Sequence, residues 1–230
     1  MRTLLAVWLG RVPYAPALEL QHVVAQLRAE EKLADTLLLL EHEPVYTLGR
    51  RAPEEEILLD RDALEERGIA VERTDRGGRV TYHGPGQLVG YPIVRLATAD
   101  LVGYVRSLER AMIAVAADIG IEAGTIEGLT GIWARDRKLG AIGIHVSRGI
   151  TTHGFALNVN TDLSMFNGIV PCGIVDRGVT SFAELLGREI PMQDVVRATT
   201  RRVAEALGAF RVIEATPAEL GFEEAFRVGS

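Results

Sequence analysis

Lys138-Leu139-Gly140-Ala141-Ile142-Gly143-Ile144-His145-Val146-Ser147-Arg148-Gly149-Ile150-Thr151-Thr152-His153-Gly154-Phe155-Ala156-Leu157-Asn158 is the stretch on which the fold class turns. Leu139–Ser147 and Thr152–Asn158 read as strands, and Arg148-Gly149-Ile150 between them is short enough to turn the chain straight back. In such a hairpin, residues whose numbers sum to roughly 300 face each other, which sets Lys138 opposite about residue 162. Two adjacent antiparallel strands in mid-chain are inconsistent with a regular βαβ alternation.

The surrounding pattern mixes both element types. Upstream, a first strand lies near the N-terminus, and residues 16–32 read as a helix with Leu20, Val23, Val24 and Leu27 on one side. Leu37–Leu40 is a short buried strand, broken at Glu43-Pro44 before Val45–Leu48 resumes it. A helix at 61–67 and strands at Ile69–Arg73, Arg79–Tyr82, Leu88–Val94 and Gly131–Arg135 follow. Leu101, Val105, Leu108, Met112, Val115 and Ile119 recur at helical spacing, as do Val195, Val196, Thr199, Val203 and Leu207 after a Pro191 placed at N1. A strand at Phe210–Ile213 and a short helix near 217–226 close the chain. The expected fold is α+β, or mixed α/β, with helices on a largely antiparallel or mixed sheet. Trp8 and Trp133 belong to its core. With 230 residues and no linker or repeat, a single domain over 1–230 is expected.

Composition narrows the chemistry. Of 25 basic residues, only Lys32 and Lys138 are lysine, and Cys172 is the single cysteine. One cysteine permits neither an internal disulfide nor a cysteine-based zinc site. Against 31 acidic residues the net charge is −6, which argues against nucleic-acid binding through phosphate neutralisation. The apolar run Leu4–Gly10 is too short for a signal peptide and is cut by Arg11, and no stretch approaches the length of a membrane span. A cytoplasmic protein is expected.

Three segments hold residues that packing alone does not explain. Arg76-Gly77-Gly78-Arg79-Val80-Thr81-Tyr82-His83-Gly84-Pro85-Gly86-Gln87 brackets a strand with glycine pairs. These fit two tight turns, and equally a backbone that comes close to a ligand; the spacing is not that of a dinucleotide loop. Lys138 follows the polar turn Arg135-Asp136-Arg137. A lysine there is ordinarily a solvated charge, but where arginine fills nearly every basic role, a retained lysine points to a proton that must move. Lys32, beside Glu30 and Glu31, is read as a surface residue. Cys172 sits in Pro171-Cys172-Gly173, an abrupt turn suited to displaying a side chain. A lone cysteine is usually inert packing. If the loop after the hairpin folds back, however, its thiol meets Lys138, and a neighbouring ammonium favours thiolate. Such a pair is a nucleophile with an acid/base partner, as acyl transfer requires. His83, His145 and His153 lack the short paired spacing of metal ligands, and neither a G-x-S-x-G elbow nor a Walker loop occurs.

These segments, with Pro44–Arg50, Thr130–Trp133 and His153–Asn160, resemble the octanoyl-carrier-protein:protein octanoyltransferases, or lipoyl(octanoyl) transferases, of lipoate synthesis. The likeness covers about residues 40–182; Glu43 departs from it, standing where the family commonly has proline. It implies the biotin/lipoate protein ligase-like fold. Cys172 would take octanoyl from acyl carrier protein as a thioester and pass it to a lysine of a lipoyl domain, either in 2-oxoacid dehydrogenase complexes or in the glycine cleavage H protein. Lys138 would be the acid/base residue. Arg76, Gly77, Gly78, Arg79, Val80, Thr81, Tyr82 and His83 would line the acyl site, together with Ala141, Ile142, Gly143, Gly154, Phe155 and Ala156. No cofactor, metal, nucleic acid or membrane is implied. Arg76, Arg79, Arg135, Arg137 and Arg148 are candidates for docking an acidic partner. The rival readings are an ATP-dependent lipoate or biotin ligase of the same fold, an amidotransferase between lipoyl domains, and a non-catalytic module that binds lipoyl domains.

Overall fold

The computed structural model describes residues 2–170 and 177–222. Cys172 and the turn around it, and the end of the expected last helix, lie outside those residues. β1 (Thr3–Val12), β2 (Asp35–His42), β6 (Gln87–Ile93), β7 (Gly124–Ile126), β8 (Leu129–Ala134), β9 (Arg137–Ser147), β10 (Ile150–Asn158) and β11 (Arg211–Ala215) form an eight-stranded sheet in the order β11-β1-β2-β6-β10-β9-β8-β7. β1 runs parallel to β2 and β11, and the other pairs are antiparallel, so the sheet is mixed. A second sheet has the order β4-β3-β5, from β3 (Val45–Leu48), β4 (Ala70–Arg73) and β5 (Val80–His83). The helices are α1 (Tyr14–Ala29), α2 (Arg61–Glu66), α3 (Leu101–Asp118), α4 (Phe182–Leu186) and α5 (Met192–Ala206).

Both faces of the large sheet are covered, which is why Leu37–Leu40 is an unbroken apolar run. Leu37 and Leu39 point into the core under α3 and α5, and Leu38 and Leu40 into the core under α1. At the strand's start, buried Asp35 accepts from Arg2 Nε at 2.7 Å, Arg28 Nε at 2.6 Å and the Arg95 amide at 3.0 Å. A buried carboxylate is tolerable only when paired in this way.

Several boundaries differ from the sequence reading, each for a local reason. Helix α1 begins at Tyr14 behind Pro13 as N-cap, and Pro191 is likewise the N-cap of α5 rather than N1. On α1, Val23 is 51% exposed, and the polar Gln21 is buried in its stead because its Oε1 accepts the His153 amide at 2.7 Å. Leu101, at the first position of α3, is also exposed, whereas Leu108, Met112 and Val115 are buried as expected. Glu43-Pro44 does not interrupt one strand: it carries the chain from the large sheet into the small one. Trp133 is buried, while Trp8 is half-buried at the core's edge. The edge strand β7, only three residues long, has no counterpart in the pattern.

The hairpin of β9 and β10 forms, in a tighter register. Ile150 pairs with Ser147 and Leu157 with Gly140, so facing residues sum to 297. The loop is the two residues Arg148 and Gly149, both at positive φ (50° and 77°), as a type I′ turn demands. A second such turn, Arg135 (48°) and Asp136 (61°), joins β8 to β9.

β10 and β6 approach so closely beside the hairpin that side chains are excluded. A Cβ on Gly154 would lie 2.1 Å from the Gly90 carbonyl oxygen. Gly154→Ala should therefore cost about 1–3 kcal/mol, read as a lower urea midpoint with unchanged m-value.

Candidate active site

A cleft of about 60 Å³ opens between the two sheets. It is lined by Arg76, Gly77, Gly78, Arg79, Thr81 and His83 from β5 and the loop before it, and by Ala141, Ile142, Gly143, Gly154, Phe155 and Ala156 from the hairpin. Twelve of the fourteen substrate-site residues expected from sequence thus come together. Val80 and Tyr82 do not. Strand alternation turns them into the small sheet's own core, beside Tyr46 and Phe166, where they are fully buried. Tyr14, Val89, Tyr91 and His153 also line the cleft and were not expected. The antiparallel register of β6 on β10, which sets Val89 opposite Ala156, carries the signal for Val89 and Tyr91. Nothing local marks Tyr14, which arrives on α1.

The loop before β5 is fixed rather than free. The Gly77 amide donates to the Ile144 carbonyl of β9 at 2.9 Å, and the Arg50 amide to the Arg76 carbonyl at 3.1 Å. Arg76 is only 7% exposed; its Nη2 donates to Thr47 O and Oγ1 at 2.6 and 2.7 Å. It ties the loop between β4 and β5 to β3 within the small sheet, and this burial corrects the expectation that it docks a partner. The other docking candidates do not make one patch either. Arg79 pairs with the buried Glu56, and Arg137 with Glu184 at 2.7 Å. Arg135 and Arg148 lie beyond opposite ends of the 11-residue β9, about 33 Å apart along it.

One end of the cleft is built from neutral aromatic and imidazole rings. Burial lowers the pKa of His42 to about 4 and of His83 to about 3, so both are uncharged at neutral pH. His42 Nδ1 donates to Val12 O at 3.0 Å, and its Nε2 accepts from the Tyr91 hydroxyl at 2.7 Å. Gln87 donates to Tyr82 O and Asn158 Oδ1, which leaves its own oxygen to accept from His83 Nδ1 at 2.7 Å. His153, 1% exposed and at φ 57°, is held neutral by burial, partly offset by Asp75. Its Nε2 donates to Asp75 Oδ1 at 2.7 Å, and His145 approaches the other carboxylate oxygen at 3.5 Å. Burial alone would raise the Asp75 pKa; hydrogen bonding to His153 and the two imidazoles outweigh it.

Lys138 is aimed by a β-bulge. Ile132 pairs with Gly140 but Trp133 with Lys138, so β9 carries one extra residue there. Leu139 is buried in the core under α3, and a Cβ on Gly140 would point at Met112 of α3, so two consecutive residues face that helix. Alternation then sends Lys138 to the opposite face. Its Nζ lies 5.1 Å from the centroid of Trp133, whose neighbours Ile132 and Ala134 face α3, and its Cε passes Gly131. Ala141 and Gly143 alternate onto this same face, the side of the cleft. Buried Glu109 of α3, another residue the sequence reading missed, accepts the Gly131 amide at 2.9 Å and holds β8 under the lysine. The Lys138 backbone is clamped as well: its amide donates to Gly178 O and its carbonyl accepts from the Thr180 amide, each at 2.9 Å. With pairs summing to 297, the position opposite Lys138 is residue 159, not 162. Lys32 pairs with Glu30 on the surface.

A family model described as lipoyl protein ligase A/B catalytic domain matches residues 13–204. An octanoyltransferase of Solibacter usitatus (strain Ellin6076) is 54% identical over 198 residues, covering 85% of this chain and 89% of that protein. One from Thermobifida fusca (strain YX) is 48% identical over 217 residues, 90% of each. Among solved structures, a bi-partite lipoate protein ligase from Thermoplasma acidophilum superposes with a TM-score of 0.74 at 20% identity, over 98% of this chain and 92% of that one. At that identity the likeness shows the fold alone.

Because His42 and His83 are harder to protonate folded than unfolded, where the pKa is 6.5, their contribution to stability is complete above about pH 6.5. It is lost as pH falls toward 4 and 3. Each should steepen the decline by about 1.4 kcal/mol per pH unit in that window. Urea melts from pH 7 to pH 4.5 test this, with His42→Gln expected to flatten the slope.

Proposed function

We propose, from the premise that the chain belongs to the lipoyl protein ligase A/B catalytic-domain family, that it transfers octanoyl from acyl carrier protein to a lipoyl-domain lysine through a Cys172 thioester. The chain is an acyltransferase, as its relatives of about half-identical sequence are named octanoyltransferase. The observation that carries the finer reading is that Lys138 and the cleft's small residues share one face of the sheet. Gly178, six residues after Cys172 in the sequence, is hydrogen-bonded to the backbone of that same lysine.

In the first step Lys138 accepts the thiol proton as Cys172 sulfur attacks the octanoyl carbonyl. The carbonyl–sulfur bond to the carrier's thiol breaks, and that sulfur takes the proton. In the second, the ε-amine of the acceptor lysine attacks the Cys172 thioester. The acyl–sulfur bond breaks, and the proton lost by the amine returns through Lys138 to Cys172. Thioester exchange is near neutral in free energy and thioester to amide is downhill, so neither ATP nor a cofactor enters. A positive charge next to a thiol favours thiolate, and Lys138, unlike arginine, can also give its proton up.

The small side chains of Ala141 and Ala156 leave room for an unbranched chain in the cleft between the two sheets. We place the whole reaction in one catalytic domain, in the cytoplasm, with lipoyl domains of 2-oxoacid dehydrogenase complexes and of the glycine cleavage system as acceptors. Among the described residues no helix is long and apolar enough to cross a membrane.

Incubation with octanoyl-carrier protein and no ATP should leave an octanoyl adduct on the Cys172 peptide, seen by mass spectrometry. Cys172→Ala should give no adduct and lose at least about 10³-fold in transfer. Adduct formation that requires ATP would instead favour a ligase. Lys138→Arg keeps the charge but not the proton transfer and should lose about 10²-fold or more. Wild-type rates in that variant would reduce Lys138 to a fixed charge.

A further inference from the structure

The end of the Lys138 side chain and the first cleft residue of β9 flank a single point. A Cβ placed on Gly131 of β8 would lie 3.2 Å from Lys138 Cε and 3.5 Å from the Ala141 Cα. In the ladder Lys138 is paired with Trp133 and Gly140 with Ile132, so Gly131 is the next position on, beside Ala141. The lysine thus does not stand straight out next to its partner. It leans along β9 toward the cleft, with its ammonium near the Trp133 ring and its last methylene against Gly131. A side chain at Gly131 would close that route. Its φ of 111° also lies where other residues are strained, and a Cβ would collide with the rigid Gly140 carbonyl oxygen.

What holds Gly131 in this pose comes from the opposite face of the sheet. The β7–β8 ladder is irregular between the pairs Gly124–Trp133 and Ile126–Leu129, and in that stretch the Gly131 amide donates to Glu109 Oε1 at 2.9 Å. Glu109 is 1% exposed and sits on α3 next to Leu108 and near Met112, both members of the apolar core. Its other oxygen accepts from Arg106 Nη1 at 2.6 Å, and that guanidinium is half exposed. A carboxylate is a costly group to bury, and an arginine at the surface does not need one there. The buried Gly131 amide does need an acceptor, and a charged one holds it about twice as strongly as a neutral one.

We infer that Glu109 and Gly131 are positioning residues for Lys138: the carboxylate fixes the glycine, and the glycine leaves the space through which the lysine reaches the cleft at Ala141. The inference rests on the octanoyl-transfer reading for what the lysine does there, and adds to it what aims the group that moves the proton. Neither residue touches the acyl chain. Glu109 lies behind the sheet, and both act through the place they give the ammonium. The β-bulge sends Lys138 to the cleft face, while this pair decides where along that face its end comes to rest.

The test uses the full chain and two readouts, lysine NMR and octanoyl transfer. Because Lys32 and Lys138 are the only lysines, labelling of the lysine ε-carbons gives two signals, with surface Lys32 as the reference. In wild type the ring current of Trp133 should displace the Lys138 signal from it. Glu109→Leu, which keeps volume at the core position, and Gly131→Ala should each collapse that displacement. Each should also lower the kcat of transfer about 10-fold or more, with the carrier KM within about twofold. Glu109→Gln keeps an oxygen for the Gly131 amide and should hold the displaced signal and a rate within about threefold of wild type. In a Lys138→Met background, Glu109→Leu should cost less than about twofold more, since residues that act through one group are not additive. No displacement in wild type would overturn the inference, as would Glu109→Leu and Gly131→Ala both keeping the wild-type signal and kcat. An equal loss from Glu109→Leu with and without Lys138 would overturn it too, because the effect would then act on the fold rather than through the lysine. A displacement that collapses in the variants, while wild type transfers octanoyl from no carrier thioester, would overturn the transfer reading and leave the positioning in place.

Discussion

The cleft exists because two backbones meet where neither carries a side chain. Gly77 of the loop before β5 donates its amide to Ile144 of β9, and a Cβ on neighbouring Gly143 would lie 3.0 Å from the Gly77 carbonyl oxygen. That contact seats the small sheet on the large one, and Arg76 holds the loop that makes it by bonding back to Thr47 of β3. Within the small sheet, Gly49 lets the end of β3 approach the same loop, since a Cβ there would be 2.6 Å from the Gly78 carbonyl oxygen. A side chain at Gly143 would press on the Gly77 backbone where the two sheets meet. The glycines are thus structural first, and they line a slot because closeness of backbones leaves one.

On this frame the electrostatics divide sharply. Around the cleft, three buried imidazoles stay neutral, two of them with pKa values of about 4 and 3, and each has a defined donor or acceptor role. Arg76 and Arg79 bring positive charge into the lining, and Lys138 adds another on the same face of β9, turned there by one extra residue in the strand and cushioned on the Trp133 ring. Arg137, paired with Glu184, and Arg148, beyond the far end of β9, lie outside this arrangement.

Much of this was legible before any coordinates, and the reasons differ by residue. Leu37–Leu40 announced a strand covered on both faces because a continuous apolar run has no other stable home in a mixed fold. Thr81 and His83 could have been separated from Val80 and Tyr82 by alternation alone. Gln21 could not, since a glutamine on a helix reads as surface until its partner, the His153 amide on a strand 132 residues away, is known. Tyr14 is of the same kind: it reaches the cleft only because Pro13 starts α1 two residues earlier than its apolar spacing indicates.

The scarcity of lysine and cysteine, the glycine-bracketed strand and the hairpin were properties of the sequence by itself. They determined the fold class and most of the cleft's lining, and they single out Lys138 as the proposed acid/base residue, because turn chemistry, periodicity and residue type act locally. Only the tertiary structure decided the rest. It set the hairpin register, through left-handed Arg148 and Gly149, and it turned Lys138 to the cleft face through the bulge opposite Trp133. It also gathered Tyr14, His42, His83 and Tyr91 from four separate elements into one closed end. These depend on contacts between residues far apart in the chain, which carry no signature until the sheets are packed.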